Sequence, residues 1–427
     1  MAFASPGRLV RPLAGFCFIC LAVAAPFARA AEGGSLSLAE ALKIGEKISP
    51  RLAAQGAALA AARELAPRAG ELPDPKLRIG IDNLPVSGPD RFRYDADPMT
   101  MRRIGLMQDF PDGEKRKLRG QRAARERDVE AANLAAQRTG VQREIAGAWL
   151  ELYFAQQART PLVELVGELQ LQLDTVSAAI AGGRQTTGDA LALRATAVAA
   201  QDRVIEQDRA IERARYALAA WLREDASRPL GGPPDTARFD HSPSALLANL
   251  HEHPDQRVYA EREALAKADV ALAASSKKSD WSLEVLYGQR GPAYDNMISV
   301  MVSFDLPWEA GKRQDRDIAA KRLLAEQAQA QVEEARRMHE AELRGLYADW
   351  QTAGVRIGRF DELLLPLARQ RVSAALAAYR GGRGELGMVL EARRAETEAR
   401  LGSLQAQLER ARAWAKLNFL LPHEVQP

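Results

Sequence analysis

Ala178-Ala179-Ile180-Ala181-Gly182-Gly183-Arg184 recurs as Ala377-Ala378-Tyr379-Arg380-Gly381-Gly382-Arg383, and the same offset carries Gly188 onto Gly387, Leu191 onto Leu390 and Arg194 onto Arg393. Self-similarity at a fixed distance marks two copies of one structural unit. Working outward, Phe110-Pro111 followed by Lys115-Arg116 returns as Leu306-Pro307 followed by Lys312-Arg313, and Ser49-Pro50-Arg51 returns loosely as His253-Pro254-Asp255. The order is the same in both halves, so the chain reads as a tandem internal duplication. The first repeat covers residues 31–227 and the second 244–427. The linker between them, 228–243, is built on Arg228-Pro229-Leu230-Gly231-Gly232-Pro233-Pro234.

Each half predicts the same elements. An Ala-rich helix opens it (Leu38 to Leu65, then Ser244 to Ala274) and two short strands follow. Pro111 or Pro307 then starts a very long helix, a position that suits proline. Gly-rich stretches at 182–188 and 381–387 turn the chain in a hairpin tip, and another long helix closes the half. Pro111 to Ala181 as helix would run on the order of 100 Å. Pro161, and Pro366 in the second copy, are expected to bend or split these rods. Val204, Ile211 and Leu218 repeat every seven residues, as do Leu390, Thr397, Leu404 and Ala411, which marks coiled-coil seams. Four rods of this length have no use in a compact globular domain; a tunnel wall can use them.

The strands are expected near 75–82, 100–110, 280–288 and 297–306. Trp281, Leu283, Val285 and Tyr287 share one face, with Ser282, Glu284 and Gly288 opposite; Ile298, Val300, Val302 and Phe304 oppose Ser299 and Ser303. The first half alternates less cleanly, Leu77, Ile79 and Ile81 against Arg78, Gly80 and Asp82, then Ile104 and Leu106 against Arg103 and Gly105. Period-two alternation over about ten residues is the pattern of a transmembrane β-strand. The plainer alternative is two ordinary hairpins packed on helices. If the strands do cross a membrane, Trp281, Leu283, Val285, Ile298, Val300, Val302 and Phe304 face lipid. Four strands cannot close a barrel, since the smallest membrane barrels have about eight, and lipid tolerates no open edge. Several chains must then share one barrel; three would supply twelve strands.

Composition narrows the class. Arg8 and Arg11, the apolar run Leu13 to Ala25, and Ala28-Arg29-Ala30 predict a cleaved secretory signal over residues 1–30. Both cysteines, Cys17 and Cys20, fall inside it, and the Phe16 and Ile19 before them do not suit a lipid-anchor site. The mature chain then has no disulfide and no thiolate metal site. Without Arg8, Arg11 and Arg29 the 59 basic residues fall to 56, against 56 acidic, a balance that disfavours nucleic-acid binding. No later stretch is apolar for the ~18 residues a membrane helix needs.

No phosphate loop, zinc-protease motif or nucleophile constellation is present, so no catalytic residue, enzyme activity or cofactor is assigned. His251-Glu252-His253 is the one histidine cluster, and it reads as a solvated helix start rather than a metal site. Met99, Met101 and Met107 are weak metal candidates, since thioethers select soft ions; the alternative is that Met101 and Met107 fill a barrel wall. Gly182, Gly183, Gly381 and Gly382 permit tight helix-to-helix turns and the close approach of another backbone. Four glycines at matched positions exceed the needs of a turn and mark the tips as docking points. Asp189 and Glu391 lie one turn beyond.

Two tandem copies of helix, two strands, long helix, Gly-containing hairpin and long helix, behind a signal peptide, resemble the TolC family of outer-membrane factors over nearly the whole mature chain. Tyr379-Arg380-Gly381-Gly382-Arg383 through Leu390-Glu391-Ala392 is similar to that family's periplasmic tip. The resemblance implies a mainly α chain with a small β part. It further implies a homotrimer sharing one twelve-stranded barrel in outer-membrane lipid and a helical tunnel in the periplasm. The implied partners are a periplasmic adaptor, docked at the tips, and an inner-membrane resistance–nodulation–division pump. Glu391 aligns with a position whose carboxylates ring the entrance, and Asp189 is a second entrance candidate; Met388 stands where an acidic residue is expected. Pro73-Asp74-Pro75-Lys76-Leu77, Asp82-Asn83-Leu84-Pro85 and Met99-Thr100-Met101-Arg102-Arg103-Ile104-Gly105 resemble the heavy-metal-efflux branch, of CusC and CzcC type, which implies heavy-metal cations as cargo. A duct for drugs or other small molecules is the alternative. A periplasmic adaptor ranks far below, since adaptors carry one hairpin and β-rich domains.

Overall fold

The computed structural model describes residues 34–182, 186–238 and 243–420. The predicted signal segment, 1–30, and Gly183 lie outside the described residues. In chain order the elements are α1 (Leu38–Ile48), α2 (Pro50–Arg68), β1 (Lys76–Asp82), β2 (Met101–Phe110), α3 (Gly113–Ala181), α4 (Thr187–Leu222), α5 (Pro243–Ala248), α6 (Pro254–Ser275), β3 (Trp281–Gln289), β4 (Met297–Phe304), α7 (Gln314–Arg359), α8 (Leu365–Arg380) and α9 (Leu386–Asn418). The fold is mainly helical with one four-stranded sheet, and the order of elements repeats, α2–β1–β2–α3–α4 answering α6–β3–β4–α7–α8–α9.

Local chemistry explains three departures from the sequence reading, and the expected break at Pro366. The opening helix of each half is broken. Ser49 caps α2, its Oγ accepting from Leu52 N at 3.3 Å ahead of Pro50, and His253 stands at the N-cap of α6 ahead of Pro254. Proline suits the first turn of a new helix and disfavours helical backbone in the residue before it. Pro161 does not divide the first rod: α3 runs unbroken for 69 residues. Pro161 is buried next to Leu162 and close to Leu165, so packing holds the segment helical despite one missing donor. In the second copy, a π-helical turn at Phe360–Leu364 precedes Pro366 and separates α7 from α8. Gly402 of α9 lies under that turn, where a Cβ would stand 2.7 Å from Phe360 Cζ. Finally, Pro307 does not start α7. In the first repeat Asp112 follows Pro111 and caps α3, accepting from Glu114 N and Lys115 N. In the second, Trp308 takes that place and offers no acceptor; the chain turns through Glu309, at φ 58°, and helix begins only at Gln314.

The main core lies where both repeats meet. Leu38, Ala41 and Leu42 of α1 pack with Ile145 and Trp149 of α3, Leu218 and Leu222 of α4, and Leu408 and Ala411 of α9. Trp149 Nε1 donates to Leu36 O at 3.1 Å, and Leu36 bridges in parallel to Leu230 of the linker. Of the predicted seams, Ile211, Leu218, Leu390, Thr397 and Ala411 are buried, with Val204 and Leu404 half-buried. A second cluster joins Leu165 and Leu169 to Leu193, Leu386 and Leu390 near the tips. A third seats Leu246 and Leu250 on Leu343, Leu346 and Leu417.

Candidate functional site

The four strands run antiparallel in the order β1-β2-β3-β4, so β2 and β3 join the two repeats in one sheet. The register lines like side chains up in rows: Leu77–Leu106–Val285–Val300, Ile79–Ile104–Tyr287–Ile298, and Phe110–Trp281–Phe304. The Phe110 and Trp281 rings stack with centroids 4.2 Å apart. On β2 and β3 this apolar face is the more exposed one, whereas β1 and β4 are exposed on both faces. On β3, Val285 is 43% exposed while its neighbour Leu286 is 6% exposed, and Ser282 and Glu284 are buried. Ile298, Val300, Val302 and Phe304 on β4 are exposed as well, and Leu283 is half-buried. A water-soluble one-layer sheet does the opposite, burying its apolar face. An apolar patch of this extent needs an apolar partner.

The opposite face, sheltered on β2 and β3 but open on β1 and β4, carries the ion pairs. Arg78 pairs with Glu284 at 3.2 Å, Lys76 with Asp109 at 2.6 Å and Arg103 with Asp82 at 2.6 Å. Gly105 lies between Arg78 and Leu286 in its row, and a Cβ there would stand 2.4 Å from Val285 O. Met101 and Met107 point to this polar face and not into the apolar one, and Arg78 Nη2 donates to Met107 Sδ at 3.1 Å. Met297 and Met301 share that face, opposite Gly288 and Glu284; the sequence reading missed them, although their parity against Ile298 and Val300 was there to find. Met99 lies before β2, its N–H donating to Asp97 Oδ1 at 2.6 Å. Among the described residues no group of three or more His, Cys, Asp or Glu side chains is placed to hold a metal. Within the described sheet β1 and β4 each have a neighbour on one side only.

At the first tip, Gly182 ends α3 at φ −84°, its N–H donating to Ala178 O at 3.1 Å. Asp189 forms a capping box on α4: Thr186 N and Thr186 Oγ1 both donate to Asp189 Oδ2 at 2.9 Å, and Asp189 N donates to Thr186 Oγ1 at 3.1 Å. The bond from the Thr186 backbone, then that from its hydroxyl, holds the Asp189 carboxyl below the usual carboxylate range. At the second tip, Gly381 N, Gly382 N and Arg383 N donate to Ala377 O, Tyr379 O and Ala378 O at 3.0, 3.0 and 2.9 Å. Gly382 sits at φ +68°, and at Gly384 a Cβ would lie 3.0 Å from Ala378 Cβ. The turn itself therefore accounts for Gly382, while Gly182 and Gly381, at φ −84° and −80°, hold angles open to any residue. Gly387, in the first turn of α9, faces open space, and no turn geometry requires it; its repeat partner Gly188 occupies the same place on α4. The internal alignment had matched these two without singling them out. Glu391 is exposed on α9 and paired within the chain to Arg371 Nη2 of α8 at 2.5 Å; Met388 is exposed close by.

His251 is exposed, but His253 is not solvated as expected: it is 1% exposed and faces His339 of α7, 86 residues away. That partner lies too far along the chain to leave a local signal.

No protein-family model matches the chain, and no curated protein matches it by sequence. The architecture is that of solved outer-membrane channels. The outer-membrane protein VceC of Vibrio cholerae superposes with a TM-score of 0.74 at 18% identity, over 90% of this chain and 95% of that one. CusC, solved in a study of folding and transmembrane channel formation, gives 0.78 at 14% identity over 92% and 93%. The outer-membrane channel CmeC of Campylobacter jejuni gives 0.76 at 14% identity over 90% and 85%. At these identities the likeness establishes the fold.

Proposed function

We propose that this chain is the outer-membrane channel of a tripartite efflux system, and that it works as a homotrimer. The observation that carries the reading is the sheet, with exposed apolar rows on one face, ion pairs on the other, and both edges unpaired among the described residues. Lipid is the apolar partner that the outward rows suit, with Trp281, Leu283, Val285, Ile298, Val300, Val302 and Phe304 against it. An even number of antiparallel strands per chain lets β4 of one copy pair with β1 of the next, and three copies close twelve strands with no edge left in lipid. The long helices then hang below the barrel as a periplasmic tunnel. Their tips, Gly182, Gly183, Gly381 and Gly382, meet the adaptor of a resistance–nodulation–division pump, and Glu391 borders the entrance. Asp189 is the weaker entrance residue, because its carboxylate is already committed to the α4 cap. The duct performs no chemistry; transport is passive conduction through a wet pore.

Heavy-metal cations are the proposed cargo. The branch-like motifs around Pro73 and Met99 support this, and so do four thioethers on the inward face, Met101, Met107, Met297 and Met301. The test is deletion of the gene followed by challenge with copper, silver, zinc, cobalt and cadmium salts beside a panel of antibiotics and dyes. Sensitivity confined to metals supports the cargo. Sensitivity to drugs alone keeps the channel and replaces the cargo. An unchanged strain, with the protein absent from outer membranes, overturns the function.

A further inference from the structure

His253 and His339 are both buried, at 1% and 6% exposure, with His253 Nδ1 2.8 Å from His339 Nε2 and the rings edge to face. His253 is the last residue before α6; His339 lies within α7. Directly before His253, residues 243–252 carry α5 and a short 3-10 turn, which are fastened through Leu246 and Leu250 onto Leu343 and Leu346 of α7. The histidine pair therefore closes the end of the segment that opens the second repeat.

The contact works only with one ring nitrogen protonated and the other bare. Two imidazolium rings would set two donors against each other at this distance. His253 Nε2 is also buried, with no hydrogen-bond partner among the described residues, so a second proton on that ring would have nowhere to bond. His253 stands at the positive end of α6, where a cation is further disfavoured. The charged groups around the pair come from every neighbouring element. They are His251 of the 3-10 turn, Asp255 of α6, Glu342 of α7 at 3.7 Å from His339 Nδ1, and Arg143 of α3, which is paired with Asp255 at 2.9 Å.

We infer that the His253–His339 contact is an acid-released latch that holds residues 243–253 against α7. Burial, then the neighbouring His339, pushes His253 down from 6.5 to about 4; burial also lowers His339, against the pull of Glu342 and Asp255. The sign follows from linkage. A released imidazole takes up a proton near its ordinary value, while the latched one resists it. The latch is at full strength above about pH 6.5 and weakens as pH falls toward about 4. A periplasmic protein, as the proposed function makes this one, follows the acidity of its surroundings.

The test uses the full chain in detergent with Cys17 and Cys20 replaced by serine and Leu250→Cys as reporter. Leu250 is buried under the latch and becomes reactive only when the segment lifts. Thiol labelling is measured at pH 7.5 and pH 4.5, each rate divided by that of the same chain unfolded. The expected result is a rise of about tenfold or more at the lower pH. Adding His253→Asn and His339→Gln, which keep a hydrogen bond but do not titrate, should abolish the rise. No rise with the histidines present, or an equal rise without them, overturns the latch. If the double amide chain does not fold, His339→Gln alone must show a smaller rise than the pair, and an equal one overturns it. The assay reads no transport, so its failure leaves the channel reading untouched.

Discussion

Arg78 of β1 reaches across β2 to Glu284 of β3, its Nε 3.2 Å from Glu284 Oε1, so that one ion pair ties the first repeat to the second on the sheltered face of the sheet. The Glu284 side chain is 11% exposed and that of Arg78 54%, so the carboxylate is the group left stranded if the pair is broken. Arg78→Ala is expected to lower stability by ~1–3 kcal/mol, below a fully buried pair because the arginine is half in water. Glu284→Gln in that background should recover most of the loss. The dissociation temperature of the purified assembly, compared across the two variants, checks this.

The two faces of β4 should respond oppositely to charge. Val300→Arg or Val302→Arg places a cation on the apolar rows and should cost ~2–4 kcal/mol near a bilayer midplane. Ser299→Arg and Ser303→Arg, on the other face, should cost far less. Equal losses of assembled protein in outer-membrane fractions would mean that the strands are not in lipid.

The glycines at the tips divide by what the turn requires. Gly382→Ala should destabilise by about 1 kcal/mol through its positive φ alone, whatever docks there. A Cβ at Gly387 meets no described atom within 4 Å, and Gly387→Trp should leave the assembly intact. If an adaptor tip approaches here, that variant loses efflux at normal protein level. Normal efflux from both Gly387→Trp and Gly188→Trp would reduce the tips to turns.

Glu391 is paired with Arg371, so the threefold entrance ring proposed above would be near neutral and not acidic. Both partners are exposed, and the pair itself contributes little to stability. Arg371→Ala should expose three carboxylates and raise cation selectivity in planar bilayers, and Glu391→Ala should lower it. Unchanged selectivity in both variants places the pair away from the pore.

Much of this fold was legible because it is periodic. The alternation at Trp281–Tyr287 and Ile298–Phe304 marks strands whose two faces differ in polarity, and the repeated Gly-rich stretch marks both hairpins. The first-half strands read poorly because Arg102 and Gln108 interrupt the apolar face of β2, and the register with β3 sets Ile104 and Leu106 in rows with Tyr287 and Val285. Other features depend on contacts that leave no local trace. The unbroken helix at Pro161 is held by packing. The late start of α7 follows from Trp308 standing where the first repeat has Asp112. The burial of His253 depends on a residue 86 positions away. The tip glycines were legible as a pair of motifs, but the backbone angle that separates Gly382 from Gly387 was not.

The central claim is a barrel shared among copies, and pairing of β4 with the next copy's β1 tests it most directly. With Cys17 and Cys20 replaced by serine, Gly80→Cys on β1 is combined in turn with Ser299→Cys, Met301→Cys and Ser303→Cys on β4, all on the face opposite the apolar rows. Outer membranes are oxidised and run on denaturing gels without reductant. The account predicts that at least one pairing gives a covalent species of three chains that collapses to one chain on reduction. A ladder that never passes the single chain in all three combinations, from protein that is monodisperse and monomeric in detergent with its β-structure folded, would contradict it.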